Sequence, residues 1–273
     1  MKKHLSEPMQ ETISSSTGRR SAILQILKQN SNISVTELSR KFGVSEVTIR
    51  KDLNLLKERN LLVRTRGGAI LHETRKDDND TSIRFKKLAN YREKKAIGRA
   101  AANLIKDGDT IIIDSGTTAL QVACNLHRFR NLTIITNALN VAQEVLSYKR
   151  FNVILLGGNI RNASESVVGA LAESNLKMFY CDKLFMGVDS FSIDNGLSTP
   201  NVEEANINQI MISRSQEVIA VFDSSKVNKR ALAFIASPNK IHRIVTDEGI
   251  DKATRTKLKN LNIDVTIVKP DQV

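Results

Sequence analysis

Ser34-Val35-Thr36-Glu37-Leu38-Ser39-Arg40-Lys41-Phe42-Gly43-Val44-Ser45-Glu46-Val47-Thr48-Ile49-Arg50-Lys51-Asp52-Leu53 contains two helix starts and one helix stop within twenty positions. Ser34 followed by Glu37 has the spacing of a capping box, in which hydroxyl and carboxylate each satisfy the other's backbone N–H. Val35, Leu38 and Phe42 form an apolar stripe, so a short helix is expected from about Val35 to Phe42, ended by Gly43. Ser45 then caps a helix whose apolar positions read as Val47, Ile49, Leu53 and Leu56. Its polar positions are Glu46, Thr48, Arg50, Lys51 and Asn54. With only Gly43-Val44 between them, the pair forms a helix-turn-helix, a unit whose second helix, here Ser45 to Glu58, enters the major groove of DNA.

The flanks agree. Upstream, Ile23, Ile26 and Leu27 recur at helical spacing within Arg19 to Asn30, flanked by Arg19, Arg20 and Lys28. Downstream, Leu61 to Leu71 reads as two strands around Gly67-Gly68, a β-hairpin wing. Arg64 and Arg66, two apart on an extended strand, would project from one face toward a phosphate backbone or the adjacent minor groove. The chain has 273 residues and a net charge of +12. Positions 1–72 hold thirteen basic and six acidic residues, against 28 and 23 in the other 201, so the excess is concentrated on the helix-turn-helix. A polyanion is the expected partner. A small helical bundle with solvated charges explains the stripes but neither the wing nor this concentration, and an anionic membrane would need large exposed apolar residues.

Met1 to Gly18 is polar and Ser-rich, read as a disordered tail without the apolar core of a secretory signal. No run approaches the roughly 20 apolar residues of a membrane helix, so a cytoplasmic protein is expected. Cys124 and Cys181 stand far apart and the four histidines lack ligand spacing, which leaves the cysteines as core thiols and suggests neither metal nor cofactor.

Arg20-Ser21-Ala22-Ile23, Val44 through Leu53, and Arg66-Gly67-Gly68-Ala69 together resemble the signature of DeoR-family regulators, and the similarity runs on to the C-terminus, over about nine-tenths of the chain. The resemblance implies that Thr48, Arg50 and Lys51 contact DNA, with Ser45 beside them, and that Asp52 orients a basic neighbour. Residues 19–74 are read as the winged helix-turn-helix and 75–90 as a linker, with a hinge near residue 75. His72 to Asp80, with mixed charge and almost no apolar content, has the composition of such a boundary.

From Tyr91 to the C-terminus, helical stretches alternate with seven short apolar runs: Thr110–Asp114, Leu132–Thr136, Asn152–Leu156, Lys183–Val188, Glu217–Phe222, Ile241–Thr246 and Asp264–Val268. Residues 91–273 are therefore expected to form an α/β domain, a largely parallel sheet covered by helices on both sides, with ligands at the carboxyl ends of the strands. Those ends carry Asp114-Ser115-Gly116-Thr117-Thr118, suited to cradle a phosphate, then Thr136-Asn137, Gly157-Gly158 with Arg161, Gly187-Val188-Asp189, and Asp223-Ser224-Ser225-Lys226. The family's C-terminal domain is similar to the ribose-5-phosphate isomerase fold. On that resemblance Asp114 to Thr118 is the phosphate loop, Asp189 lies in an acidic loop that holds the sugar, Glu203 and Glu204 open an acidic helix, and Asp223 and Lys226 match positions implicated in effector response.

The implied function is a repressor of a sugar-catabolism operon released by a phosphorylated sugar, acting as a homodimer or homotetramer on a double-stranded operator. Asn201 to Asn206 and Val245 to Ile250 resemble regulators of amino-sugar catabolism, of the N-acetylgalactosamine or galactosamine type. Two alternatives stand beside it: an isomerase carrying a DNA-binding domain, and a DNA-binding protein whose second domain is purely structural. Against catalysis, Ser190 occupies the position where the isomerases carry a further acid.

Overall fold

The computed structural model describes residues 16–29, 32–58, 61–65, 67–71 and 83–270, in two compact units that divide between Tyr91 and Arg92. The first unit contains α1 (Ser16–Gln29), β1 (Asn32–Ser34), α2 (Val35–Phe42), α3 (Glu46–Glu58), β2 (Leu62–Thr65), β3 (Gly68–Leu71) and α4 (Ile83–Leu88). Its core is built by the expected stripes: Ile23, Leu24 and Leu27 of α1, Val35, Leu38 and Phe42 of α2, and Ile49, Leu53 and Leu56 of α3. The capping box is present. Ser34 N–H donates to Glu37 Oε2 at 2.9 Å and Glu37 N–H to Ser34 Oγ at 3.1 Å. Gly43 ends α2, its N–H on the Ser39 carbonyl, and Ser45 Oγ caps α3 by accepting the Thr48 N–H at 3.2 Å.

Four boundaries differ from the sequence expectation. Ser16, Thr17 and Gly18 are helical instead of tail, because the Arg20 guanidinium reaches back one turn to the Ser16 carbonyl and hydroxyl. The rest of that tail, residues 1–15, lies outside the described residues, as do 75–82 of the expected linker. Residues 83–88 of the linker form α4, anchored by buried Ile83. The wing does not turn on a Gly-Gly pair: Thr65 pairs with Gly68, so the second glycine is already in the return strand. β3 lies between β2 and the unforeseen β1. A Cβ on Gly68 would sit 2.2 Å from the Ile33 carbonyl oxygen, so strand contact and not turn geometry demands this glycine.

The second unit runs α5 (Tyr91–Ala102), β4 (Thr110–Ile113), α6 (Thr117–Ala123), β5 (Thr133–Thr136), α7 (Leu139–Leu146) and β6 (Asn152–Leu155), then β7 (Asn159–Arg161), β8 (Ser166–Val168), α8 (Ala170–Leu176) and β9 (Cys181–Gly187). It continues with β10 (Ser190–Ser192), β11 (Gly196–Thr199), α9 (Val202–Ser213), β12 (Ser215–Val221), β13 (Ala233–Ala236), β14 (Arg243–Asp247), α10 (Lys252–Asn260) and β15 (Asp264–Val268). All seven expected strands form one sheet in the order β15-β14-β12-β9-β4-β5-β6, every neighbouring pair parallel.

Alternation along each strand feeds two cores. Ile112, Leu184, Met186, Val218 and Ala220 pack with Ala172 and Leu176 of α8 and Ala205 and Met211 of α9. Ile111, Ile113, Phe185, Ile219 and Val221 face the other way, onto Ile97 of α5, Val122 of α6 and Val141 of α7. Cys181 lies in the first core, and burial pushes its thiol and that of half-buried Cys124 up to about 11. Because every strand runs the same way, all seven carboxyl ends share one edge, where the antiparallel pair β7-β8 and the small sheet β10-β11-β13 are inserted.

Candidate functional site

On α3, Ser45, Arg50 and Lys51 are exposed and Thr48 is half-buried, its hydroxyl 3.0 Å from Ser45 Oγ. Arg50 pairs with Glu46 at 3.2 Å. Glu46 is also held by the Thr36 hydroxyl at 2.8 Å; that bond, and then Arg50, lower its carboxyl below the usual range. Asp52 points inward, bonded to Arg19 Nε at 2.6 Å with both residues buried, so it fixes α3 to α1 as the orienting role requires. Arg64 differs from its expectation of projecting with Arg66. Its Nε donates to the Gly68 carbonyl at 3.1 Å and its Nη1 to Asn54 Oδ1 at 2.8 Å, bracing the wing against α3. Arg66 lies outside the described residues.

Val47 belongs by sequence to the apolar stripe, yet it is 63% exposed. Ile49, Asp52, Leu53 and Leu56 are the buried positions of α3, and at about 100° per residue Val47 falls roughly opposite their centre.

At the carboxyl edge of the sheet, the loops after β4 and β9 are tied by one buried carboxylate. Asp114 Oδ2 accepts the Gly187 N–H at 3.1 Å. Burial holds the Asp114 carboxyl well above the usual range, and the charges of Glu204 and Asp189 push it further the same way. A Cβ on Gly187 would lie 2.8 Å from the Ser115 carbonyl oxygen, so the closeness of the loops requires glycine there. Thr199 Oγ1 stands 3.2 Å from both Asp189 Oδ2 and Glu204 Oε2. Glu204 Oε1 takes Arg161 Nη1 at 3.3 Å, and that nitrogen also donates to Ser164 Oγ at 3.1 Å. The cluster thus joins Asp114, Asp189, Thr199, Glu204, Arg161 and Ser164 from five segments of chain.

Glu203 does not join these hydrogen bonds. It is exposed in the first turn of α9, whereas its neighbour Glu204, 7% exposed, points inward. The Thr136 hydroxyl is fully buried and committed to backbone, donating to the Ile113 carbonyl and accepting the Ala138 N–H. Asn137 is also fully buried. Its amide nitrogen donates to the Val167 carbonyl, while its Oδ1 has no hydrogen-bond partner among the described residues. Thr117 and Thr118 are buried at the start of α6, Ser115 and Gly116 are half-buried, and Gly157 and Gly158 are exposed. The helices α6 and α8 follow Gly116 and Gly169, which offer no side-chain cap, so their leading N–H groups can take an anion, whereas at α7 the Leu139 N–H donates to the Glu165 carbonyl at 3.0 Å and the Val141 N–H to Asn140 Oδ1 at 2.8 Å.

Asp223 and Lys226 belong to a neighbouring group over β12 and β14. Asp223 Oδ1 accepts from Ser225, and Asp247 holds the N–H and hydroxyl of Ser224 at 2.6 and 2.7 Å. Glu93 of α5 faces the same group, its carboxyl raised by burial first and by the charges of Asp247 and Asp223 after it. Sequence reasoning missed Thr199, Ser164 and the inward role of Glu204. Thr199 lies in the Gly196–Thr199 strand, which is too short for a periodicity signal.

Comparison with known proteins matches residues 19–75 to the DeoR-like helix-turn-helix domain and 89–248 to the DeoR C terminal sensor domain. A protein of Escherichia coli O157:H7, named for repression of the aga operon, is 34% identical over 95% of this chain and 96% of its own length. The HTH-type transcriptional repressor GlcR of Bacillus subtilis is 32% identical over 92% of this chain and 96% of its own. The glycerol-3-phosphate regulon repressor of Escherichia coli K12 is 33% identical over 85% and 90%. Among solved structures, ribose 5-phosphate isomerase A of Methanocaldococcus jannaschii is similar over 52% of this chain and 56% of that one, at 17% identity and a TM-score of 0.39, a likeness too low to bear on chemistry. With both domain models matched in order and relatives of this identity aligned nearly end to end, the chain belongs to the DeoR family of transcriptional regulators.

Proposed function

We propose that this regulator represses a sugar-catabolism operon and is released from its operator by a phosphorylated sugar bound at the carboxyl edge of the parallel sheet. Ser45, Thr48, Arg50 and Lys51 of α3 face the DNA, with Arg64 and Arg66 at the wing. The observation that carries the sensor half is Asp114. A carboxyl buried to this degree, held by the backbone N–H groups of Ser115 and Gly187 but facing no cation among the described residues and crowded by the charges of Asp189 and Glu204, is costly unless a ligand uses it. Carboxylates of this kind hold sugar hydroxyls, and the Asn137 oxygen offers a further acceptor. The phosphate is provided for separately, by the uncapped starts of α6 and α8, by Arg161 and by Lys226.

Binding proceeds without turnover. Aldose–ketose isomerisation needs a base beside the substrate carbon and a partner for the developing oxyanion. Asp114 is tied down by Gly187, and Glu204 is neutralised by Arg161. The regulator works as a homodimer or homotetramer, matching two-fold operator half-sites.

The test is a thermal-shift screen of the full chain against pentose, hexose and amino-sugar phosphates and the same sugars without phosphate, since a ligand bound to the folded state alone raises Tm with concentration. The expected result is a shift with one phosphorylated sugar, release of DNA by that sugar, and no exchange of its C2 hydrogen with solvent. Equal shifts with free and phosphorylated sugar would overturn the phosphate assignment, C2 exchange would favour the isomerase, and no shift with any sugar would favour a structural domain.

A further inference from the structure

Val47 is 63% exposed, a large apolar side chain left largely in water while Ile49, Leu53 and Leu56 of the same helix are buried. A lone exposed valine on a surface needs no explanation. Its position here does. Val47 lies in the first turn of α3, where a β-branched residue is a poor choice for helix stability. It sits near the middle of the face turned away from the core. Lys51, one turn on, and Asn54, two turns on, share that face and are both exposed.

Asn54 is exposed and its amide oxygen accepts from Arg64, so its N–H2 is the polar group it has left to offer a base. The face therefore presents a cation, amide donors and, between them and the cap, one patch of two methyl groups. The major groove presents donors, acceptors and one apolar group, the C5-methyl of thymine. The N-terminal residues of a reading helix are those that approach base edges.

We propose that Val47 is a specificity-determining residue that packs its methyl groups on the C5-methyl of a thymine in each operator half-site. This rests on the assignment of α3 as the reading helix and adds to it a base identity at one position. Polar neighbours on α3 read hydrogen-bonding edges, whereas Val47 selects thymine over cytosine, adenine and guanine by burying apolar surface that no other base offers at that place.

The experiment starts from a pool of random duplexes, from which the full chain isolates its preferred sequence. Each thymine of that sequence is then replaced in turn by uracil, which keeps every hydrogen-bonding group and lacks only the methyl. The parent should lose about threefold to tenfold in affinity at one thymine per half-site, the size expected for one buried methyl group. Val47→Ala, which keeps the helix since alanine is the better helix former, should bind the thymine and uracil duplexes equally and select no base there.

The proposal is overturned if no thymine-to-uracil change weakens the parent, or if Val47→Ala loses as much as the parent at the same position. Arg50→Ala and Lys51→Ala separate the two levels. If they alter the selected sequence while the uracil series is flat, α3 reads DNA and only the role of Val47 falls. If they also select the parent sequence, the reading-helix assignment falls with it.

Discussion

Removing the carboxylate of Asp52 should unfold the DNA-binding unit without touching its reading face. Arg19 Nε and Asp52 Oδ2 are 2.6 Å apart with the residues 6% and 5% exposed, and Arg20 Nε approaches the other oxygen at 4.0 Å. Asp52→Ala would leave the Arg19 guanidinium buried against α3 with no counter-charge from that residue. Deleting one partner of a buried pair costs about 3–5 kcal/mol. A core of this size, thirteen buried apolar residues in one cluster among the described residues, rarely supplies more than ~3–5 kcal/mol net, so the loss is comparable to the whole stability of the unit.

The assay is hydrogen–deuterium exchange of the full chain, followed in peptides from residues 46–58. At 1.4 kcal/mol per tenfold, a 3 kcal/mol loss speeds exchange by about 150-fold. Peptides from residues 110–136, in a unit with its own two cores, should not change. Arg19→Met combined with Asp52→Leu should recover most of the protection, because an apolar pair of similar volume replaces a buried ion pair at little cost. Protection in residues 46–58 within threefold of the parent for Asp52→Ala, or a double variant as damaged as the single one, would refute the assignment of this pair as the lock between α1 and α3.

Three further outcomes test the sensor. Asp114→Asn should abolish sugar-phosphate binding while raising Tm. The folded chain holds the Asp114 proton more tightly than the unfolded chain does, so its stability falls as pH rises above about 4 toward the raised value, by roughly 1.4 kcal/mol per unit of displacement; the Asn variant escapes this, its advantage should widen with pH, and an unchanged difference across that range would contradict the burial argument. Glu204→Gln should weaken ligand binding at least tenfold and Glu203→Gln less than twofold, measured by calorimetry; the reverse order would return the acidic helix start to Glu203. Lys226→Ala and Asp223→Asn should keep operator affinity within about threefold, under roughly 0.7 kcal/mol, yet fail to release DNA when the sugar phosphate is added, and normal release would place the effector elsewhere.

The parallel sheet was readable because its strands carry a doubled signal. A run such as Ile111-Ile112-Ile113 is apolar at every position, which only a strand with a core on each side can bury, and alternate residues do divide between the two cores. The helix-turn-helix was readable from its ends, since the Ser34, Gly43 and Ser45 caps are local chemistry. What escaped was structure whose cause is non-local. Asn32–Ser34 forms a strand only because β3 passes beside it, and Gly68 is required by the Ile33 carbonyl across that contact. The first turn of α1 forms on the reach of Arg20, a side chain four residues on.

The same distinction governs the site. Loops at the strand ends could be chosen in advance, since parallel strands bring all their carboxyl termini to one edge whatever the side chains are. Which atoms of those loops face the ligand could not, because that depends on contacts made across the edge. Glu203 and Glu204 are identical in kind and adjacent, and Asn201 caps α9 by accepting the Glu204 N–H at 3.0 Å. That cap sets the phase of the helix: it turns Glu204 toward Arg161 and Thr199 and leaves Glu203 in water. Thr136 shows the opposite case, a polar residue at the right strand end whose hydroxyl is consumed by the Ile113 carbonyl and the Ala138 N–H. A strand-end position therefore supplies opportunity, and the competition between backbone and ligand for each polar atom decides whether it is used.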